Sequence, residues 1–402
     1  MKILFVVTKC NIFRINSGGA NRNNMFVKAL SEMGHVDVVS FYEEGLKSNI
    51  KNCDVIYSEI IHDKHHYVDF VISWIFMSLS PSNPYSYYRR DKKKEAVIDG
   101  FVRRNNYDII VCRYIDSVIK CGLLKYKDRL VIDVDENPTN RLKYLAAQAK
   151  IRLLKWKKIY ESKRIGLMVE KLLGEVLCSF HSNQLEPPSP RSVFLLNTIG
   201  ITKSIPDVTD FNSNRILYVG CLNFFPSKHG ICYFVENIFP LIRAQVQDAE
   251  LCVVGEGNPE LITWLNEKEG VKALGRVEDL TVEYQKTNVV VIPIYHGSGT
   301  SVKFVEALFM NRPIVSTPVG VRGFEGICND GVHYMLAEND EAFAAKTIEL
   351  LSSAEKSRQM AHDAYRVAAQ NFAQEKFFEI VRREIQSRSS SLALATHSVN
   401  VE

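Results

Sequence analysis

In this chain of 402 residues, the combination of residue types most able to do chemistry lies in HGSGTS (296 to 301), followed by Lys303 and Glu306. A glycine-bearing loop that opens a helix after a parallel strand turns free backbone N–H groups and the positive helix end outward, a setting that suits a phosphate. His296, Gly297, Ser298, Gly299, Thr300 and Ser301 make that loop, and Lys303 adds a cation. The Glu306 carboxylate, one turn further in, can accept hydrogen bonds from a ribose diol.

The elements around the loop follow from local pattern. VVVIPI (289 to 294) is a continuous apolar run, too short for a helix and suited to a parallel strand covered on both faces. Thr300 or Ser301 can N-cap a helix from about Val302 to Met310, and Pro313 lies just past its end. A second buried strand follows, completing a unit over 289 to 323. The helix is apolar on every face, so it reads as buried, with only Lys303 and Glu306 charged. Such charges need partners. Either the two satisfy each other as an i,i+3 pair, or they meet a ligand.

GSGTSVKFVEALFMNRPIVSTPVGVRGFEG, preceded by GRVEDL and VVVIPI, resembles the donor-binding segment of retaining glycosyltransferase family 4. The likeness extends from Arg215 to Phe372 and takes in ILYVGCLNFFPS and FPLIRAQVQDAELCVVGEGNP. The resemblance implies the GT-B fold, an α/β architecture of two Rossmann-like doubly wound domains facing each other across a cleft. It also implies a retaining hexosyltransferase that moves a sugar from a UDP- or GDP-linked donor to a polysaccharide or lipid-linked glycan, with no cofactor beyond that co-substrate. Glu306 falls on the second glutamate of the family's Glu, seven residues, Glu motif, which contacts the ribose. Ser298 stands at the first, as in the subgroup with a Gly-Ser-Gly-Thr loop. That subgroup's next residue is usually arginine; here it is Ser301, and Lys303 becomes the nearest matching cation. The family often has an arginine after the glycine matching Gly220, where this chain has Cys221, leaving Lys228 or Arg322 as substitutes. The backbone at Val277 matches the position that reads the nucleobase. Asp135 stands where the family often has a catalytic or sugar-contacting histidine. Departure of a diphosphate builds negative charge, which helix-end N–H groups and fixed cations can stabilise without metal. The absence of Asp-x-Asp from the donor half therefore predicts metal independence.

The composition bounds the alternatives. With 46% hydrophobic residues, the chain is long enough for two domains with substantial cores. The nine cysteines are scattered, with no Cys-x-x-Cys pair, so neither a disulfide framework nor a zinc site is indicated. No apolar run reaches the length of a membrane span, and MKILFVVTKC enters a strand-like run without a cleavage pattern, which predicts a cytoplasmic chain. The net charge of +4 conceals an asymmetry: residues 1 to 200 hold 31 Lys and Arg against 21 Asp and Glu, while residues 201 to 402 hold 19 against 25. A basic half suits anionic lipid headgroups, a diphosphate-bearing acceptor or nucleic acid. Nucleic acid is disfavoured, since the charges lie on α/β segments without a recognised nucleic-acid motif. A second rival is a nucleotide-sugar-binding protein of the same fold that has lost transfer, motivated by Ser298, Cys221 and Asp135.

Along the chain, KILFVV (2 to 7), VDVVSF, DVIYSEI, YDIIVCRY and RLVIDVDE alternate with helical intervals, as a parallel sheet requires. Ligands in such sheets lie at the carboxyl ends of strands. The loops from Gly18 and Gly19 to Arg22 and from Asp133 to Asn137 are thus placed to face a substrate, although the glycines equally suit a structural turn. Asp133, Asp135 and Glu136 can bind acceptor hydroxyls or cap the turn before Pro138. Residues 67 to 79 read as a core helix. KIRLLKWKKIYESKRIGLMVEKLL (150 to 173) fits either a helix lying on a membrane surface, making the chain peripheral at its inner face, or an ordinary solvated face. The expected domains are 1–205 for the acceptor, 206–375 for the donor, a helix at 376–388 returning to the first, and a disordered tail at 389–402. The polar stretch 201–215 is the interdomain linker. In the second domain a helix is expected around Cys232 to Gln245, and Gly255 and Gly257 fall at the carboxyl edge of the strand at 250–254.

Overall fold

The chain folds around two parallel sheets. The structure, a computed structural model, describes residues 1–14, 17–61, 88, 90–135, 137–149, 151–182, 189–200, 213–297 and 299–399. The expected helix at 67–79, residues 201–212 of the expected linker at 201–215, Glu136 and Ser298 lie outside these residues. The chain divides into two compact units, Met1–Leu196 with Glu375–Glu402, and Asn197–Gln374.

In the first unit, β1 (Lys2–Val7), β2 (His35–Ser40), β3 (Cys53–Ser58), β4 (Ile109–Arg113), β5 (Leu130–Asp135), β6 (Cys178–His181) and β7 (Ser192–Phe194) form a sheet in the order β3-β2-β1-β4-β5-β6-β7. Each pairing is parallel. The apolar runs fit because helices cover both faces: α1 (Gly18–Met33), α2 (Lys92–Arg104), α3 (Ile115–Lys120), α4 (Pro138–Gln148) and α5 (Arg152–Glu175). Strand order reverses between β1 and β4, the position at which such sheets open a crevice at their carboxyl ends.

The second unit repeats the plan with β8 (Arg215–Val219), α6 (Phe225–Tyr233), α7 (Phe239–Arg243), β9 (Glu250–Val254), α8 (Pro259–Asn266), β10 (Val271–Gly275), α9 (Leu280–Gln285), β11 (Val289–Ile292), α10 (Val302–Phe309), β12 (Ile314–Ser316) and β13 (Met335–Leu336). Its sheet runs β10-β9-β8-β11-β12-β13, all parallel, with the reversal between β8 and β11. Helices α11 (Asp340–Ser352) and α12 (Ala354–Asn371) complete it. Helix α6 begins at Phe225, seven residues before the expected Cys232, and continues through a π turn at Phe234–Ile238 into α7. Pro226 sits in the first turn of α6, where its missing N–H has no role to fill.

The last helix, α13 (Gln374–Val399), packs on the first unit. Its Phe377, Phe378, Val381 and Ile385 are buried in one core with Ile3, Phe5, Met25 and Phe26, and the Phe26 and Phe377 rings meet edge-on at 5.2 Å. Each such burial is worth about 1.5–3 kcal/mol, enough to bring the chain back across the second unit's sequence. The serine-rich stretch after 389, expected to be disordered, continues this helix through Val399. No helix among the described residues is long and apolar enough to cross a membrane.

Candidate functional site

In the second unit the loops after β8 and β11 flank the point of strand reversal, and two glycines let the backbone close there. Gly255 has φ +149°, and a Cβ on it would lie 1.8 Å from the Gly220 carbonyl oxygen. A Cβ on Gly220 would lie 2.7 Å from Lys303 Nζ. Neither site admits a side chain without displacing a neighbour, so both glycines have a steric reason beyond turn formation.

The loop after β11 is held from two sides. Arg322 donates to the Gly297 carbonyl at 2.7 Å, and Asn197 Nδ2 donates to Thr300 Oγ1 at 2.5 Å. Gly297 has φ +133°, and a Cβ at Gly297 or Gly299 would meet nothing within 4 Å, so the loop lies open. Of the two substitute cations, Arg322 reaches the loop, whereas Lys228 is exposed on α6. Ser301 occupies the N-cap of α10, but no side chain caps the helix, and Ser301 Oγ is buried without a hydrogen-bond partner. Of the first-turn N–H groups, which a helix leaves without internal acceptors, that of Phe304 donates to the Ser301 carbonyl at 3.1 Å, and those of Val302 and Lys303 have no side-chain cap beside the open loop. Ser301 is thus the N-cap residue, one of the two expected, but its hydroxyl makes no capping hydrogen bond, and Thr300 Oγ1 is engaged by Asn197.

Lys303 does not pair with Glu306. Its Nζ donates to Tyr218 Oη at 3.2 Å and to Ser227 Oγ at 3.3 Å, and it lies 4.7 Å from the Tyr218 ring centroid. Glu306 instead accepts from the Tyr284 hydroxyl at 3.4 Å. Burial pushes the Glu306 carboxyl up to about 7, against the pull of the Tyr284 hydrogen bond and the Lys303 charge. The self-satisfied i,i+3 pair is thus absent, and among the described residues neither side chain is held in an ion pair.

His296 lies among rings: 4.5 Å from His229, edge-on, and stacked on Phe225 at 5.7 Å. Burial and the neighbouring His229 lower its pKa, so it contributes a neutral aromatic face rather than a cation. Val277 is half-buried in the loop after β10, at the same sheet edge but with β9 between its strand and β8.

In the first unit the expected substrate residues divide. Gly18 to Arg22 is not a loop but the first turn of α1, capped by Ser17 accepting from the Ala20 N–H. A Cβ on Gly19 would sit 2.6 Å from Cys10 Sγ, which makes its role steric. Arg22 is buried and grips Asp133 through Nε and Nη2, at 2.7 Å for the shortest contact, while Nη1 donates to the Leu195 carbonyl. Arg22 is therefore a core ion-pair residue and not a substrate contact. Arg113 bridges both carboxylates, at 2.6 Å to Asp133 and 2.5 Å to Asp135. Burial pushes the Asp133 carboxyl up, and the two guanidiniums more than offset it, holding it below the usual range. The turn before Pro138 is capped by Asn137, accepting from the Thr139 N–H, and not by an aspartate. Asp135 keeps 21% side-chain exposure at the end of β5. It has φ +51°, and Cys10 (+62°) and Tyr114 (+68°) share that left-handed conformation just past the ends of β1 and β4. Left-handed non-glycine residues store strain and gather at functional sites. Asp135 thus stays partly open at the carboxyl edge, whereas Arg22 is buried.

Sequence reading did not find Tyr218, Ser227, Tyr284, Asn197 or Arg113. Each looks like an ordinary strand, helix or loop residue until the elements pack.

Comparison with known proteins agrees with this geometry. Residues 213–353 match the family model described as glycosyl transferases group 1. Over 410 residues the chain is 23% identical to a Klebsiella pneumoniae protein described as an uncharacterized 44.6 kDa protein in cps region, covering 95% of this chain and 99% of that one. The sucrose-phosphate synthase from Thermosynechococcus elongatus superposes with a TM-score of 0.70 at 14% identity, covering 96% and 99% of the two chains. HepE of Anabaena, solved in complex with UDP and glucose, gives 0.62 at 14% identity, covering 96% and 100%. The fold is GT-B, two Rossmann-like α/β domains, and residues 213–353 are similar to group 1 glycosyl transferases.

Proposed function

We propose that the chain transfers a hexose from a UDP- or GDP-linked donor to a hydroxyl of a polysaccharide or lipid-linked glycan, with retention of configuration and without a metal. The observation that carries this reading is the unpaired Lys303 ammonium beside the uncapped start of α10 and the Gly220–Gly255 notch. These groups supply positive potential where a diphosphate would gather charge as it leaves. Glu306, one turn in, would accept hydrogen bonds from the ribose, and the backbone at Val277 would meet the base. Asp135, held by Arg113, would contact acceptor hydroxyls from the first unit. Retention and hexosyl transfer are carried over from the resemblance of GSGTSVKFVEAL to family 4. The UDP and glucose bound by HepE favour a uridine donor, and the cps-region relative favours a polysaccharide product.

The test is a panel of UDP- and GDP-sugars incubated with the protein, in buffer with and without a chelator, followed by NMR of the released or transferred sugar. Turnover of one donor with its anomeric configuration kept, unaffected by the chelator, is expected. Inverted product would remove the retention claim, and chelator-sensitive turnover the metal claim. Binding without turnover, even with glycan acceptors present, would favour the rival reading of a protein that has lost transfer.

A further inference from the structure

We propose that Tyr218 and Ser227 are positioning residues that lock the Lys303 ammonium in place for a phosphate; the proposal rests on the donor-site reading of α10. Tyr218 is fully buried on β8, and its hydroxyl donates to the Ser227 carbonyl oxygen at 2.9 Å. A phenol has one proton. With that proton committed, the oxygen faces Lys303 only as an acceptor, at 3.2 Å. Ser227, 5% exposed in the first turn of α6, accepts a second Lys303 N–H on Oγ at 3.3 Å. An ammonium carries three donors. Two are taken, and among the described residues no carboxylate lies within 4 Å of Nζ to take the third.

The chemistry of the partners matters as much as their number. A carboxylate would hold the lysine equally well but would cancel its charge, whereas a phenol oxygen, an alcohol oxygen and a ring face orient the ammonium and leave it cationic. Lysine on a flexible stem loses rotamer freedom whenever it is fixed. Fixing it before the ligand arrives moves that loss into folding, so the phosphate meets a pre-aimed donor. Gly220 keeps the approach clear, since a Cβ there would fall 2.7 Å from Nζ.

Calorimetric titration of the full chain with UDP and GDP, and with uridine and guanosine as phosphate-free controls, tests the lock. Tyr218→Phe retains the ring and removes only the hydroxyl. It should weaken the preferred nucleoside diphosphate about five- to tenfold, the size of one ordinary net hydrogen bond, because the hydroxyl acts through the lysine and does not touch the phosphate. Binding of the matching nucleoside should not change, and no further loss should appear on top of Lys303→Met. Ser227→Ala, which keeps the carbonyl that anchors Tyr218, should show the same pattern and serves if Tyr218→Phe does not fold. Wild-type diphosphate binding by these variants, an equal loss for the nucleoside, or the same loss in the Lys303→Met background would each overturn the lock. If Lys303→Met itself left diphosphate binding unchanged, the donor-site reading would fail first. A loss in Lys303→Met with none in Tyr218→Phe would overturn the lock alone.

Discussion

At the scale of residues, two carboxylates show how differently buried charge is handled. Glu306 has one hydrogen bond, from Tyr284, and burial raises its carboxyl from 4.5 to about 7. Ribose hydroxyls donate to the ionised form, so donor affinity should rise as pH increases from about 6 to 8, and calorimetry across that range should show it. Glu306→Gln should flatten this dependence and lower kcat/KM by about ten- to a hundredfold. The stability effect has the opposite sign. The native state holds its proton between pH 4.5 and about 7 while the unfolded chain has lost it, so the Glu306 contribution falls as pH rises through that window. Glu306→Gln should remove that part of the slope in thermal melts taken without ligand. Asp133 behaves as structure. Asp133→Asn removes the close carboxylate partner of buried Arg22 and leaves Arg113 with Asp135 alone, and should destabilise by about 3–5 kcal/mol, whereas Asp135→Asn, partly solvated, should leave the melting temperature nearly unchanged and lower transfer. Equal losses of stability would contradict that division. Glu306 and Lys303 stood out in the sequence through residue type and spacing, and Gly220 through the family resemblance. Tyr218 and Ser227 were not, since their roles depend on contacts with a lysine 85 and 76 residues away. Arg22 misled for the same reason: its acidic partner lies 111 residues along the chain.

At the scale of elements, α5 contains two different helices in one. Its second half buries Ile165, Met168, Val169, Leu172 and Leu173 in the first unit's core. Its first half leaves Leu153 78% and Trp156 62% exposed, next to Ile151 at 60%, among Arg152, Lys155 and Lys157. We propose that this half lies on a bilayer surface, which would accommodate both the basic side chains and the exposed apolar ones. Binding to vesicles containing an anionic lipid should fall as salt rises, with each basic residue near the surface contributing about 1 kcal/mol. Glutamate at both Lys155 and Lys157 should release the protein without lowering turnover of a soluble acceptor analogue. Equal partitioning onto neutral vesicles would leave only the apolar contribution. Lys158 is a poorer probe, since it pairs with the buried Glu161 at 2.7 Å. The strands at 2–7, 35–40, 53–58, 109–113, 130–135, 250–254 and 289–292 were legible as apolar runs, with ends shifted by at most two residues, whereas those at 178–181, 271–275 and 335–336 were not read. Of the two residues that hold the loop after β11, Arg322 was singled out as a cation but Asn197 was not, because it reaches Thr300 from 103 residues away.

At the scale of the whole molecule, a basic first 200 residues and an acidic remainder are distributed over two sheets of the same winding, each with its strand reversal at the carboxyl edge. The acidic half makes the positive potential at α10 local: it comes from one helix end, Lys303 and Arg322 rather than from net charge. Phosphates should then dominate nucleotide recognition. The most direct test is calorimetry of the intact chain with UDP, GDP and their nucleosides, followed by incubation with the matching sugar donors. One diphosphate should bind at least about tenfold more tightly than its nucleoside, lose that advantage in Lys303→Met, and have a sugar-linked form that turns over. Diphosphates that bind no better than nucleosides, with no donor consumed, would contradict the claim that this loop and helix form a nucleotide-sugar site.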